Sequence, residues 1–291
     1  MNKKFKNLVL LAVSFLTLFL LYHVIYYPLK AHSEPFHLNG QLSKSAQNIF
    51  AQVHQQITTL QDANSFAQKK LLRSGERWHE QNNTGISEVL QENSAAIIQH
   101  LQNLGMIDQI KPQKKQYLYA GVMGALKTTV AKRMAYLQEL IDCGLSFDYI
   151  VLLGGARPLL QKEKTGLPEH ITTEAEMMVY LFNNSSLKNN KMIIVDAPLV
   201  KKPDGTITRP TTDQTLVNFT KIAPQEGSFL VVSNNPYILR QTKVAERILD
   251  KKRFPVEGVG APADMQNIDI VMLMDEFART LYEEFKEFSC Q

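Results

Sequence analysis

Two adjacent glycines after an apolar run provide the first candidate for a ligand-binding loop. The segment LLGGARP contains Gly154, Gly155 and, two residues later, Arg157. Glycine lets a backbone turn sharply and approach a ligand, and successive amide N–H groups can bind an anion. Arg157 could then pair with a phosphate or carboxylate. The alternatives are a simple turn and a solvated arginine, and the sequence contains neither the dinucleotide fingerprint nor the Walker loop.

Two acidic residues stand near the ends of other short apolar segments. Glu174 follows two threonines in TTEAE, where a threonine N-cap and acids in the first turn would also suit an ordinary helix start. Asp196 closes the run IIVDAP. A carboxylate just past a strand could act as a base, a metal ligand or a hydroxyl anchor, or it could simply cap the loop.

The segment TTDQTLVNF places polar side chains at a spacing of three. Thr212 is expected to be the N-cap of a helix, and Asp213 suits the first turn. Thr215 and Asn218 lie too far along the helix for capping, and both are mediocre helix formers. The helix face that carries Thr212, Thr215 and Asn218 could be exposed to solvent, but the pattern favours a ligand-facing edge.

A fourth polar cluster follows the apolar run FLVV. Ser233 and Asn234 are followed by Pro236, which is expected to begin a helix, and Arg240 lies one turn further on. An anion at this helix N-terminus would meet backbone N–H groups and a guanidinium together. The alternative is an ordinary cap with a surface arginine.

Motifs for several other chemistries are missing from the sequence. It contains no G-x-S-x-G elbow, no H-E-x-x-H motif and no cysteine–histidine pairing. Cys143 and Cys290 are the only cysteines, which excludes a disulfide framework, although the two could pair in an oxidising compartment. The net charge of +4 is mild and gives little support to nucleic-acid binding.

The polar clusters are positioned by alternating strand-like and helix-like segments. The predicted strands are Tyr117–Val122, Tyr149–Leu153, Met192–Val195, Phe229–Val232 and Phe254–Val259. The predicted helices are Thr128–Ile141, Thr173–Phe182, Asp213–Lys221, Ile238–Asp250 and Ile268–Phe288. This alternation predicts an α/β fold with a Rossmann-like, mostly parallel sheet flanked by helices over residues 111–291, in which ligands bind at the carboxyl ends of the strands.

The N-terminal region predicts a membrane anchor. Lysines at positions 3, 4 and 6 precede an uncharged run, Leu8–Tyr27, that is long enough to cross a bilayer as a helix. The lysines favour a cytoplasmic N-terminus, and in a bacterium the rest of the chain would then lie in the periplasm, anchored to the inner membrane by a single pass. The alternative is a cleaved signal peptide. We assign residues 1–28 to this segment.

Residues 29–110 are expected to form a linker and an amphipathic helical region. Apolar residues recur at helical spacing over Ser43–Leu72 and again over Ser87–Leu104. These two helices are predicted to pack as a hairpin against the α/β domain. The region 43–104 is also the expected surface for a protein partner.

Taken in order, the loops resemble the family of bacterial proteins that includes SanA, ElyC and YdcF. YLYAGVMGA with Arg133 resembles the first glycine loop and helix arginine of that family, and LLGGARP with Thr173-Glu174-Ala175 resembles the second pair. The family's Ser/Thr/Asn segment is similar to Thr212, Thr215 and Asn218 here. The family's last strand ends in a polar run with an arginine, which is similar to VVSNNPYILRQ with Arg240. Tyr237 stands where the family usually has histidine, and the first glycine loop matches loosely.

This resemblance covers about residues 116–259 and implies a Rossmann-like fold, a membrane anchor and an envelope-side domain. It also implies a role in envelope or lipid-carrier metabolism and a small anionic or nucleotide-like ligand, with S-adenosylmethionine as one candidate; neither cofactor nor reaction follows from it. The expected function is therefore ligand binding at an envelope-side pocket. The alternative is a non-catalytic scaffold that keeps a degenerate pocket.

Overall fold

A computed structural model of the chain describes residues 33–73 and 86–290. The described residues from Pro35 onward form one compact unit. The predicted membrane helix, Leu8–Tyr27, lies outside the described residues. None of the helices within 33–73 and 86–290 is both long and apolar enough to cross a bilayer.

The described strands and helices follow one another as the alternating pattern predicts. The strands are β1 (His37–Leu38), β2 (Gln41–Leu42), β3 (Gln116–Met123), β4 (Ser146–Gly155), β5 (Met192–Ala197), β6 (Val200–Lys201), β7 (Ile207–Thr208), β8 (Phe229–Asn234) and β9 (Val256–Ala261). The helices are α1 (Lys44–Gln52), α2 (Leu60–Lys70), α3 (Ser87–Glu92), α4 (Ser94–Asn103), α5 (Lys127–Asp142), α6 (Gln161–Lys164), α7 (Glu174–Asn183), α8 (Thr212–Ile222), α9 (Ile238–Ile248) and α10 (Ile270–Ser289).

Five parallel strands form the central sheet in the order β5-β4-β3-β8-β9. This confirms the predicted α/β fold and parallel sheet, and it fits a Rossmann-like core. From the central strand β3 the chain moves outward through β4 to β5, and then adds β8 and β9 on the other side. Because the connections after β3 and β8 leave in opposite directions, a crevice opens at their carboxyl ends.

Helices cover both faces of the sheet, so its strands are apolar on both sides. In β4, Ile150 and Leu152 pack into a core with residues of α5 and α7. Val151 and Leu153 point the other way, into a core with residues of α8 and α9. This two-sided burial fixes where each strand ends and therefore where its terminal loop meets the crevice.

The helical region differs from the predicted hairpin. The segment Ser43–Leu72 is broken after α1, because His54 adopts a left-handed φ of 60° and Thr59 begins α2 by accepting a hydrogen bond from the Asp62 backbone N–H at 3.2 Å. The segment Ser87–Leu104 is divided at Asn93. All four short helices share an apolar core with α10.

Part of the predicted linker is also folded. Phe36 is buried, and its ring stacks on Phe277 of α10 with the ring centroids 5.9 Å apart. The following turn carries Gly40 at φ 79°, a conformation that favours glycine. Cys143 and Cys290 are exposed free thiols and do not form the disulfide that the sequence left open.

A ladder of ion pairs joins α9 to α10. Arg240 pairs with Glu276, with the atoms Nη2 and Oε2 3.4 Å apart. One and two turns further along α9, Lys243 lies 3.1 Å from Glu284, and Arg247 contacts Glu283 at 3.1 Å. These pairs hold α9, and with it Arg240, beside the crevice.

Candidate functional site

A cleft of about 660 Å³ lies at the carboxyl ends of β3 and β4, beside the turn that follows β8. We call it the inner cleft and define it by Gly124, Arg133, Arg157, Glu174, Thr215 and Tyr237, which all line it. Its size is within the usual range for small-molecule sites. Its position is the switch point of the sheet, where Rossmann-like folds bind ligands.

Arg133 is the most unusual residue of the inner cleft. Its side chain is on α5 and only 2% of the residue is exposed. The guanidinium donates from Nε to Asn234 Oδ1 at 2.8 Å, and from Nη1 to the carbonyl oxygens of Met123 at 2.8 Å and Gly124 at 3.0 Å. These three acceptors are neutral, and they fix the orientation of the guanidinium.

The charge of Arg133 therefore has no close counterion in the described part of the chain. No carboxylate in those residues lies within 4.0 Å of the guanidinium, and Nη2 donates no hydrogen bond to them. Burial lowers the pKa of Arg133 to about 10, which still leaves it protonated at neutral pH. Glu174 and Glu276 act on this charge only from beyond 4.0 Å. A buried charge without a contacting counterion is costly, and an anion in the cleft would compensate it at closer range.

Arg157, for which the sequence left open a phosphate or carboxylate partner and a solvated loop position, is buried. It forms a bidentate ion pair with Glu163, in which Nη1 donates to Oε2 at 2.8 Å and Nη2 donates to Oε1 at 3.1 Å. Burial by itself would raise the pKa of Glu163, but hydrogen bonds from Arg157 and the Leu160 backbone outweigh it and lower that pKa. Glu163 thus locks the loop after β4 into place.

Glu174 is the only carboxylate among the described residues that line the inner cleft. It is the first residue of α7, directly after the N-cap Thr173. Its Oε1 accepts from Arg157 Nη2 at 3.4 Å. Burial raises the pKa of Glu174, while the charges of Arg157 and Arg209 oppose that shift.

The start of α8 is displaced by one residue from its predicted position. The N-cap is Thr211, not Thr212, because Thr211 exchanges hydrogen bonds with Gln214 in a capping box. Thr212 is the first helical residue and lines the inner cleft. Thr215 also lines it, but its hydroxyl donates to the Thr211 carbonyl at 3.1 Å.

Asn218 does not line the inner cleft, contrary to its predicted role at a ligand-facing edge. Its Nδ2 donates to the Gln214 carbonyl one turn back, at 2.8 Å. Polar side chains within a helix commonly satisfy themselves in this way. The spacing of three therefore continues along the helix beyond the part that borders the cleft.

The predicted roles of Gly154, Gly155 and Asp196 are not supported by their positions. Both glycines belong to β4, where they pair with β5 instead of forming a turn. A Cβ on Gly154 would lie 3.0 Å from the Ala175 backbone, and one on Gly155 would lie 2.5 Å from Pro210, so these glycines allow close packing. Asp196 is exposed on β5, and none of the three lines the inner cleft.

The polar cluster at the end of β8 and in the following turn contributes to the cleft mainly indirectly. Ser233 is fully buried and donates to Gln241, while Asn234 orients Arg133. α9 begins at Ile238 and not at Pro236. Arg240 does line the inner cleft, but it is paired with Glu276 and is not a free surface arginine.

The inner cleft is strongly cationic. One carboxylate, that of Glu174, faces six cationic side chains in its lining: Arg73, Arg133, Arg157, Lys162, Arg209 and Arg240. Arg73 pairs with Asp275, Arg157 with Glu163 and Arg240 with Glu276. In the described ranges no group of three or more His, Cys, Asp or Glu residues could hold a metal ion. The lining favours an anionic ligand.

Reasoning from residue types did not identify Arg73, Arg209 or Lys162, and it reached Arg133 only through the family resemblance. One signal was present for Arg133: it lies on the apolar stripe of α5 with Val130, Met134 and Leu137, where a cation is unexpected. Comparisons with family models, curated proteins and solved structures gave no match to this chain.

Proposed function

We propose that the inner cleft binds a small anionic or nucleotide-like ligand through a phosphate-like group. The observation that carries this proposal is Arg133, a buried arginine whose only close partners in the described structure are neutral acceptors. The Nη2 N–H groups remain available to a ligand in the cleft. Arginine is well suited to this role because its planar donors match the oxygens of a phosphate.

The surroundings of Arg133 support the same ligand class. Cationic side chains outnumber carboxylates in the lining of this cleft, and the switch-point position is typical of anion-binding Rossmann-like folds. Tyr237 closes one side, with its ring centroid 5.9 Å from the Arg133 guanidinium carbon. A cleft of about 660 Å³ also has room for a substituent larger than the phosphate group itself.

The wider proposal is a membrane-anchored protein of the cell envelope that resembles SanA, ElyC and YdcF. Its support is the sequence of the N-terminal segment and the ordered motifs, of which Arg133, Glu174, Thr215 and Arg240 all line one cleft. The domain would then face the periplasm and act in envelope or lipid-carrier metabolism. Protease added to spheroplasts should digest it, and protection until lysis would contradict this location.

Binding of inorganic phosphate to the full-length protein in detergent micelles tests the ligand proposal. Isothermal titration calorimetry should give a phosphate affinity that falls at least about tenfold in Arg133→Met, because one charge-assisted contact is lost. The matched control is Arg253→Met, since Arg253 is half-exposed, pairs with Glu226 and does not line the cleft. An unchanged affinity in a folded Arg133→Met protein would refute the proposal.

The alternative is a non-catalytic scaffold with a degenerate pocket and a partner surface over residues 43–104. The observation that favours it is Tyr237, which lines the cleft where the resembling family has histidine. The same titration separates the two proposals. Phosphate binding that depends on Arg133 supports the binder, and no binding by the unmodified protein favours the scaffold.

A further inference from the structure

We infer that Glu174 makes the inner cleft selective for phosphate groups that carry a proton, over fully ionised oxyanions such as sulfate. The inference rests on the proposed anion-binding function and names the ligand class more narrowly. It starts from an apparent conflict: a carboxylate lines a cleft whose other charged lining groups, in the described structure, are cations. A carboxylate repels an ionised ligand unless a proton lies between them.

The geometry places Glu174 next to Arg133. The Gly124 carbonyl accepts from Arg133 Nη1 at 3.0 Å, and a Cβ on Gly124 would lie 3.1 Å from Glu174 Cδ. Both charged groups therefore adjoin the same residue at the floor of the cleft. An anion on the Nη2 side of Arg133 would be within reach of Glu174.

One oxygen of Glu174 is free to contact that anion. Oε1 accepts from Arg157, whereas Oε2 accepts no hydrogen bond from the described residues. An ionised carboxylate can only accept hydrogen bonds. The ligand atom that faces Oε2 must therefore be a donor, and a phosphate that holds a proton supplies one through its P–O–H group.

Sulfate has the same shape and charge range but carries no proton at neutral pH. Placed in the same position, it would face Oε2 with a lone pair, so two like-charged acceptors would be in contact. Specificity of this kind arises from a penalty against the wrong ligand and not from an added attraction to the right one. The cationic groups would attract both anions, and Glu174 would distinguish them.

The charged groups around Glu174 determine how this selectivity changes with pH. Arg157 faces it from the loop after β4 and Glu163 from α6, Arg209 from the segment before α8, and Arg133 from α5. Burial raises the pKa of Glu174, and the arginines limit the rise. At acidic pH Glu174 becomes protonated and can donate to sulfate, so the preference for phosphate should shrink as the pH falls through the pKa of Glu174.

The test compares sodium phosphate and sodium sulfate as ligands of the full-length protein in detergent micelles, at constant ionic strength and pH 7.5. Titration calorimetry should show phosphate binding about tenfold or more tightly than sulfate, because an unpaired buried charge costs at least that factor. In Glu174→Gln the preference should largely disappear, since the amide can donate to either anion.

The matched control is Glu176→Gln. Glu176 is two residues away on α7, is exposed, and accepts from the Thr172 and Thr173 backbone N–H groups, so it does not line the cleft. This variant should keep the preference of the unmodified protein. Melting curves of both variants establish that the fold is retained.

The outcomes separate this inference from the proposed function. Equal binding of phosphate and sulfate by the unmodified protein, or a preference that survives in Glu174→Gln, overturns the selectivity and leaves anion binding intact. If neither anion binds, the proposed function fails, and this inference fails with it.

Discussion

Two regions of the molecule differ in whether a buried arginine has a carboxylate partner. They are the interface between α9 and α10 and the cleft floor, which is formed by Gly124, Arg133 and Glu174. At the interface Arg240 meets the buried Glu276, and the next two turns of α9 repeat the arrangement. At the cleft floor the hydrogen-bond acceptors of Arg133 among the described residues are all neutral, and the Glu174 carboxylate lies beyond 4.0 Å of its guanidinium. A charge that is neutralised within the protein mainly affects stability, whereas one that is not is available for a ligand.

Breaking the interface should have the largest effect on stability. In Glu276→Ala the mostly buried Arg240 loses its carboxylate partner, and we expect the free energy of unfolding to fall by about 3 kcal/mol. Urea denaturation of the full-length protein in micelles measures it. Phosphate affinity should not fall, because Arg240 stays in the cleft lining and its charge is no longer neutralised by Glu276.

The matched control for this change is Glu287→Ala on the same helix. Glu287 pairs with Lys243 at 2.8 Å, but its side chain is 42% exposed, so its removal should cost less than about 1 kcal/mol. Similar losses in both variants would mean that burial does not distinguish the two pairs. A loss of phosphate binding in Glu276→Ala would show that the interface and the cleft are not separable.

A methyl group at the cleft floor should have a moderate effect. In Gly124→Ala the new Cβ would lie 2.8 Å from the Leu153 carbonyl oxygen and 3.1 Å from Glu174 Cδ, so the surroundings must shift, at a cost of about 1–3 kcal/mol. Because the methyl group would press on the Glu174 carboxylate in the cleft lining, phosphate affinity should fall as well. Denaturation and phosphate titration measure the two effects.

Gly154→Ala provides the comparison, since its Cβ would also be crowded, 3.0 Å from the Ala175 backbone, but away from the inner cleft. We expect a similar loss of stability with unchanged phosphate affinity. If Gly154→Ala weakened phosphate binding as much as Gly124→Ala, the two glycines at the end of β4 would take part in ligand binding, as the sequence first suggested.

The sequence predicted the elements well because hydrophobic periodicity is a local property. It could not give the strand order, since pairing of β3 with β8 depends on residues more than 100 positions apart. The same limit applies to the site. Arg133 gains its acceptor Asn234 from a strand 101 positions further along the chain, and Gly154 looks like a turn until β5 pairs with it.

The N-cap of α8 depends on nearby residues only, yet the local sequence left two candidates for it. Thr211 and Thr212 are neighbours and both could cap α8, and only the position of Gln214 three residues after Thr211 distinguishes them. The membrane anchor predicted for the N-terminal segment lies outside the described residues. It stays a prediction from composition and charge.

The smallest expected effects concern the two polar residues of α8 that the sequence placed on one face. Thr215→Val removes a hydroxyl that lines the cleft but already donates to the Thr211 carbonyl, so it must reorient before it can donate to an anion. Phosphate affinity should therefore fall only about two- to tenfold.

Asn218→Ala removes a hydrogen bond to the Gln214 carbonyl and should lower the free energy of unfolding by less than about 1 kcal/mol, with no change in affinity. Titration of both variants decides where the cleft ends along α8, because a loss of affinity in Asn218→Ala would extend the cleft one turn further than the structure places it.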